Sequence, residues 1–232
     1  MGGADALLGG FTSFFSIWQL CYLQFSPFFV AFILGIYLPA RSGNALPGVI
    51  RWTIPACVAC GAGFTLVYSL LIASALSLSR PLINNIGPLR LAAGILMLLA
   101  SLHILLVGRM PSLRRFHQPM VLGGLSLLVG ISFALVYSPC ITPMLSDIMG
   151  IASQRTTAQH GWFLAFFYGL GSSIAVSMVA IALAMFLKGR SVAPRNAGLI
   201  TDACGVILLA FACLNISGLM TYYKAFALGF AL

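Results

Sequence analysis

Charge is what this chain has least of. Only 6% of its 232 residues are Asp, Glu, Lys or Arg, and only three of these are acidic. A soluble domain is about one quarter charged, so these side chains cannot clothe a water-facing surface. Paired catalytic carboxylates, phosphate-binding glycine loops and Ser–His–Asp arrangements are all missing from the sequence. The first ten residues hold Asp5 and no Lys or Arg, which argues against a cleaved signal peptide, whose start is positively charged. Nothing between the apolar runs exceeds about twenty residues, so no soluble domain is left over.

What is present is apolar. Hydrophobic residues make up 61% of the chain, and runs of transmembrane length recur along it. The net charge of +9 does not point to nucleic acid, because the twelve Lys and Arg sit one to three at a time in short loops, as membrane topology requires. The expected fold is an all-α membrane protein, a single integral membrane domain over residues 1–232. Six transmembrane helices are expected at roughly 11–38, 54–78, 88–108, 119–151, 161–187 and 197–218. The tail 219–232, rich in Tyr and Phe and carrying Lys224, reads as an interfacial anchor.

Alternate loops hold unequal positive charge. Arg41, Arg51, Arg109, Arg114, Arg115, Lys188, Arg190 and Arg195 fall on one side, and Arg80, Arg90, Arg155 and Lys224 on the other. The richer side belongs in the cytoplasm, so both termini are expected outside it, in a multi-pass protein of the cytoplasmic (inner) membrane.

The first and fourth spans are too long to be straight. A helix of about 33 residues would run roughly 50 Å, against a hydrocarbon core of about 30 Å. Pro27 lies well inside the first, and Pro139 and Pro143 inside the fourth. Proline removes a backbone donor and clashes with the preceding turn, so both helices are expected to be kinked or broken there. Freed backbone groups at membrane depth are tolerated only inside protein or beside water, which makes these breaks the expected functional site.

The two breaks resemble each other. Leu23-Gln-Phe-Ser26-Pro27-Phe28 matches Leu135-Val-Tyr-Ser138-Pro139-Cys140 at an offset of 112 residues, and Ala93–Leu99 matches Cys204–Ala210 at 111. Spans 1–3 (about 11–108) and 4–6 (about 119–218) therefore read as two copies. An odd number of helices per copy inverts one relative to the other. Ser before Pro is an N-cap followed by the one residue that loses nothing at the first helical position. Cys140 is then expected in or just ahead of a helix N-terminal turn, whose dipole favours the reactive thiolate. A proline kink beside an inert, buried cysteine is the alternative.

The run Tyr137-Ser138-Pro139-Cys140-Ile141-Thr142-Pro143 resembles the CcdA-type thiol-disulfide electron carriers, a family that includes the central membrane domain of DsbD. The resemblance covers nearly the whole chain and implies two inverted three-helix halves with a proline-bracketed cysteine in helices one and four. It implies that cytoplasmic thioredoxin reduces a membrane disulfide, and that the resulting dithiol reduces an extracytoplasmic thioredoxin-like partner. The cargo of electrons would serve cytochrome c-type biogenesis or maturation of other periplasmic redox proteins. The exchange needs neither a metal nor an organic cofactor. The chain departs from the family in helix one, where Phe28 stands for the expected cysteine and Ala31 for the second proline.

Three thiols stand as partners for Cys140, the alternative being that Cys140 acts alone or that the redox function is lost. Cys21 lies seven residues before Phe28, on nearly the same face but about 10 Å along the axis. Cys57 and Cys60 form a Cys-Val-Ala-Cys unit after Pro55, which reads as a redox dithiol at the start of helix two. The same pair suits a soft ion such as Cu(I), without a recognisable third ligand. Cys204 and Cys213 read as packing residues. Asp147, seven residues after Cys140, is the acidic candidate: a proton acceptor, the centre of a small-solute or metal-ion transporter, or a solvated residue at the outer interface. A non-catalytic assembly subunit on the same scaffold is the remaining reading.

Overall fold

The computed structural model describes residues 2–15, 26–35, 47–107, 119–136, 143–189, 194–220, 222–223 and 225–226. Helices account for nearly all of them: α1 (Gly3–Phe15), α3 (Pro47–Ile72), α4 (Ser79–Asn84), α5 (Ile86–Val107), α6 (Pro119–Val136), α7 (Pro143–Ser153), α8 (Ala158–Gly189) and α9 (Pro194–Ile216), with the short apolar α2 (Ser26–Gly35) between the first two.

Four helices are long and apolar enough to cross a membrane, through Thr53–Ile72 of α3, Ile86–Leu106 of α5, Ala158–Phe186 of α8 and Gly198–Ile216 of α9. The first and fourth expected spans look different. Within 11–38 the described residues form the end of α1 and, separately, α2. Within 119–151 they form α6 and, separately, α7.

Proline explains where helices begin. Pro27, Pro47, Pro81, Pro88, Pro119, Pro143 and Pro194 all fall within the first three residues of a helix. There the N–H would be unbonded anyway, and the fixed φ suits the helix. Pro55 is the exception, inside α3. The second expected span therefore starts about seven residues early, because Pro47, not Pro55, opens it.

Two of the helix crossings that bring backbones into contact use the same spacing. At α1–α8, a side chain on Gly10 would strike the carbonyl of Tyr168, and one on Gly171 that of Leu7. At α3–α6, Gly130 faces the carbonyl of Cys60, and Gly63 that of Leu127. Each crossing thus pairs residues i and i−3 of one helix with j and j+3 of the other. In a membrane, where burying apolar surface gains nothing over lipid, such small-residue contacts hold helices together. Between α3 and α8 the contact is polar: Thr65 Oγ1 and Ser173 Oγ lie 3.1 Å apart, buried. Tyr168 of α8 donates to Ser13 Oγ of α1 at 3.0 Å. The α5–α9 pair completes the main contacts, with Gly94 against Ile216 and Gly205 against Leu105.

Candidate functional site

Two helix ends and two helix starts converge on one junction. The first turn of α2 contributes Phe28 and Phe29, both buried. Ser26 opens that helix, followed by Pro27, the local pattern expected of a capped helix start. The last turn of α6 contributes Phe133, whose ring lies 6.3 Å from that of Phe29. Phe211, near the end of α9, bridges the two, 4.2 Å from Phe28 and 5.7 Å from Phe133. Tyr223 closes the cluster with its ring edge-on to Phe28 at 5.9 Å. Tilted and edge-on rings at these spacings are the favoured aromatic geometries, each contributing about 0.5–1.5 kcal/mol beyond burial.

Arg90, in the first turns of α5, ties the junction together. A helix that stops at membrane depth leaves its last carbonyls without intrahelical partners, which is costly in hydrocarbon. Arg90 Nε donates to one of them, the Leu135 carbonyl at the end of α6, at 3.0 Å. The Arg90 carbonyl in turn accepts from Asn215 Nδ2 of α9 at 2.8 Å. One residue thereby links the start of α5 to the ends of α6 and α9. Arg90 also lies within the apolar stretch of α5, where an ionisable side chain marks a functional site by default. Sequence reading assigned it only to the loop charge count. A single basic residue two positions after Pro88 gives no other signal.

The expected site residues fall unevenly around this junction. Cys21, Ser138, Pro139 and Cys140 lie outside the described residues. Ser26 and Pro27 are at the junction, at the start of α2. Pro143 opens α7, and Asp147 is exposed on the same helix. Cys57 and Cys60 are buried, Cys60 completely, and sit ten and thirteen residues into α3, which starts at Pro47. They are not at a helix start, so the dipole assistance expected of a helix N-terminus is not theirs. Cys57 shares a hydrogen bond with Ser177 of α8. The Cys60 carbonyl packs on Gly130, three residues before Phe133, or about 4.5 Å along α6. The backbone of α3 at Cys60 therefore packs on α6 one turn before the aromatic junction. Among the described residues no three His, Cys, Asp or Glu side chains gather as a metal site.

Phe28 occupies the place where the resemblance expects a cysteine. It is 6% exposed, so this departure is filled with a packed ring and not with a gap. No family model matches the chain, and neither a curated protein nor a solved structure is similar to it.

Proposed function

We propose that this protein is a divergent membrane thiol-disulfide carrier, with Cys140 as the exchanging thiol and Cys21 or the Cys57/Cys60 pair as its partner. The observation that carries this reading is the meeting of the first turn of α2 with the last turn of α6, through Phe29 and Phe133. Cys140 follows the end of α6 by four residues. The Cys60 carbonyl of α3 packs against Gly130 of α6, ten residues before Cys140 in the chain, which supports the second partner choice. Complete burial counts against it, because a thiol in an apolar surround is a poor nucleophile unless the helices move.

On this reading six spans form two inverted halves, α1–α5 and α6–α9, with both termini outside the cytoplasm. The equal spacing of the α1–α8 and α3–α6 glycine contacts supports that arrangement, since a two-fold relation between the halves exchanges those two crossings. The electron donor is cytoplasmic thioredoxin, and the acceptor is an extracytoplasmic thioredoxin-like protein. A donor thiolate attacks the carrier disulfide, forming a mixed disulfide. The donor's second thiol then displaces the carrier thiolate, so two electrons and two protons pass to the carrier. The same exchange in reverse reduces the outer partner, for cytochrome c-type biogenesis or maturation of another periplasmic redox protein.

Replacing Cys140 with Ala tests the reading. Electron delivery from thioredoxin to an outer thiol acceptor in proteoliposomes is expected to vanish. Full retention of delivery would overturn it. If Cys140→Ala leaves a solute flux untouched and Asp147→Asn abolishes it, a transporter is the better reading.

A further inference from the structure

Gly218 stands at φ +74°, the left-handed conformation that ends helices, and its N–H donates to the Asn215 carbonyl at 3.3 Å. The chain turns there, just after the residue that anchors Arg90. A short helical turn follows, with the Tyr223 N–H donating to the Leu219 carbonyl at 3.1 Å. The turn is two-sided. Met220 and Tyr223 pack on the core, Tyr223 directly against Phe28, and burial pushes the Tyr223 phenol up. Tyr222 and Phe226 face outward, 74% and 72% exposed, as interfacial aromatic anchors do.

We infer that residues 217–220, 222–223 and 225–226, after α9, form a strap over the aromatic junction, with Tyr223 as the latch that limits access to the first turn of α2. The inference deepens the carrier reading, because it assigns control of the mouth through which a partner thiol would reach the junction. Tyr223 meets the junction with its ring, edge-on to Phe28 at 5.9 Å. A latch of this kind opens at low free energy, since Tyr222 and Phe226 beside it on the strap face outward. The anchors Tyr222 and Phe226 then keep the opened strap at the membrane surface. Asn215 fixes its root through the 2.8 Å bond to Arg90.

A thiol introduced by Phe28→Cys reports on this access without relying on any native cysteine. Purified protein in nanodiscs is treated with a membrane-impermeant maleimide, and the labelled peptide is quantified by mass spectrometry over time. A buried site labels in proportion to the fraction of time it is open, so Tyr223→Ala is expected to speed labelling about tenfold. Tyr223→Phe, which keeps the ring, should leave the rate unchanged. Equal rates in all three backgrounds would overturn the strap. Should Phe28→Cys fail to fold, Tyr222→Cys and Tyr223→Cys are compared in otherwise native protein. A rate about ten times faster at 222 is expected, and equal rates would overturn the latch. Labelling that responds to Tyr223 while Cys140 never exchanges thiols would leave the strap standing and remove the carrier.

Discussion

The ring of Phe29 in the first turn of α2 lies 6.3 Å from that of Phe133 in the last turn of α6. Residues more than a hundred positions apart thereby bring one interrupted stretch of the chain to the other. Everything proposed for Cys140 depends on this meeting, because it sets the start of α2 beside the end of α6, which Cys140 follows by four residues in the chain.

That neighbourhood makes Phe28→Cys informative. Losing the ring should cost about 3 kcal/mol, as for other large-to-small changes in a packed core, and lower the thermal midpoint in detergent. Under mild oxidation the new thiol is expected to bridge to Cys140, visible as a maleimide-resistant species on a non-reducing gel that disappears with Cys140→Ala. Absence of any bridge would mean the two breaks do not approach within disulfide reach, roughly 4.4–6.8 Å between Cα atoms.

Removing Arg90 should destabilise the junction more than its position near a helix start suggests. Arg90→Ala strands the Leu135 carbonyl that it now serves, at a cost of about 1–3 kcal/mol. Arg90→Lys keeps a donor without the fixed planar geometry and should fall between. Asn215→Ala removes the other half of the link, and the double variant should be less unstable than the sum of the singles, since both act through one residue. Thermal unfolding in detergent measures all four. Strict additivity would show that the two hydrogen bonds act independently.

The crossings give a sharper contrast. Gly130→Val or Gly10→Val would force a side chain into a facing carbonyl, of Cys60 or Tyr168, and should abolish folded yield after membrane expression. Gly124 has open space around it, and Gly124→Ala should raise stability by about 0.5–1 kcal/mol through helix propensity alone. Equal yields from the three variants would contradict the close crossings.

Asp147 separates the carrier from a transporter. The side chain is exposed on α7, so Asp147→Asn should change stability by no more than about 0.5 kcal/mol and leave thiol transfer intact. A loss of transfer matching that of Cys140→Ala would place the carboxylate in the mechanism.

Much of the helical framework was legible from local chemistry. Pro27 and Pro143 signalled helix starts because proline suits the first turn and harms the interior, and α2 and α7 begin there. The same rule misleads at Pro55, an exposed proline inside α3, and so the helix start at which the sequence places Cys57 and Cys60 is not theirs. The glycine crossings were not legible, because nothing in the spacing of Gly10 or Gly130 says which carbonyl it meets. Arg90 was read as loop charge, since its role depends on where α6 ends in space. The aromatic junction escaped for the same reason: Phe28, Phe133 and Phe211 are ordinary apolar residues until the fold brings them together. Phe28 itself was visible as a departure, but only the contact with Phe211 at 4.2 Å says what replaced the missing thiol.

The most direct test of the carrier is the redox state of Cys140 in native membranes. Samples are acid-quenched, alkylated with a heavy maleimide before and after exposure to reduced thioredoxin, and the linked peptides identified by mass spectrometry. The account predicts a disulfide between Cys140 and Cys21, Cys57 or Cys60 that thioredoxin opens. A Cys140 that remains a free thiol under every condition, with no mixed disulfide trapped, would contradict it.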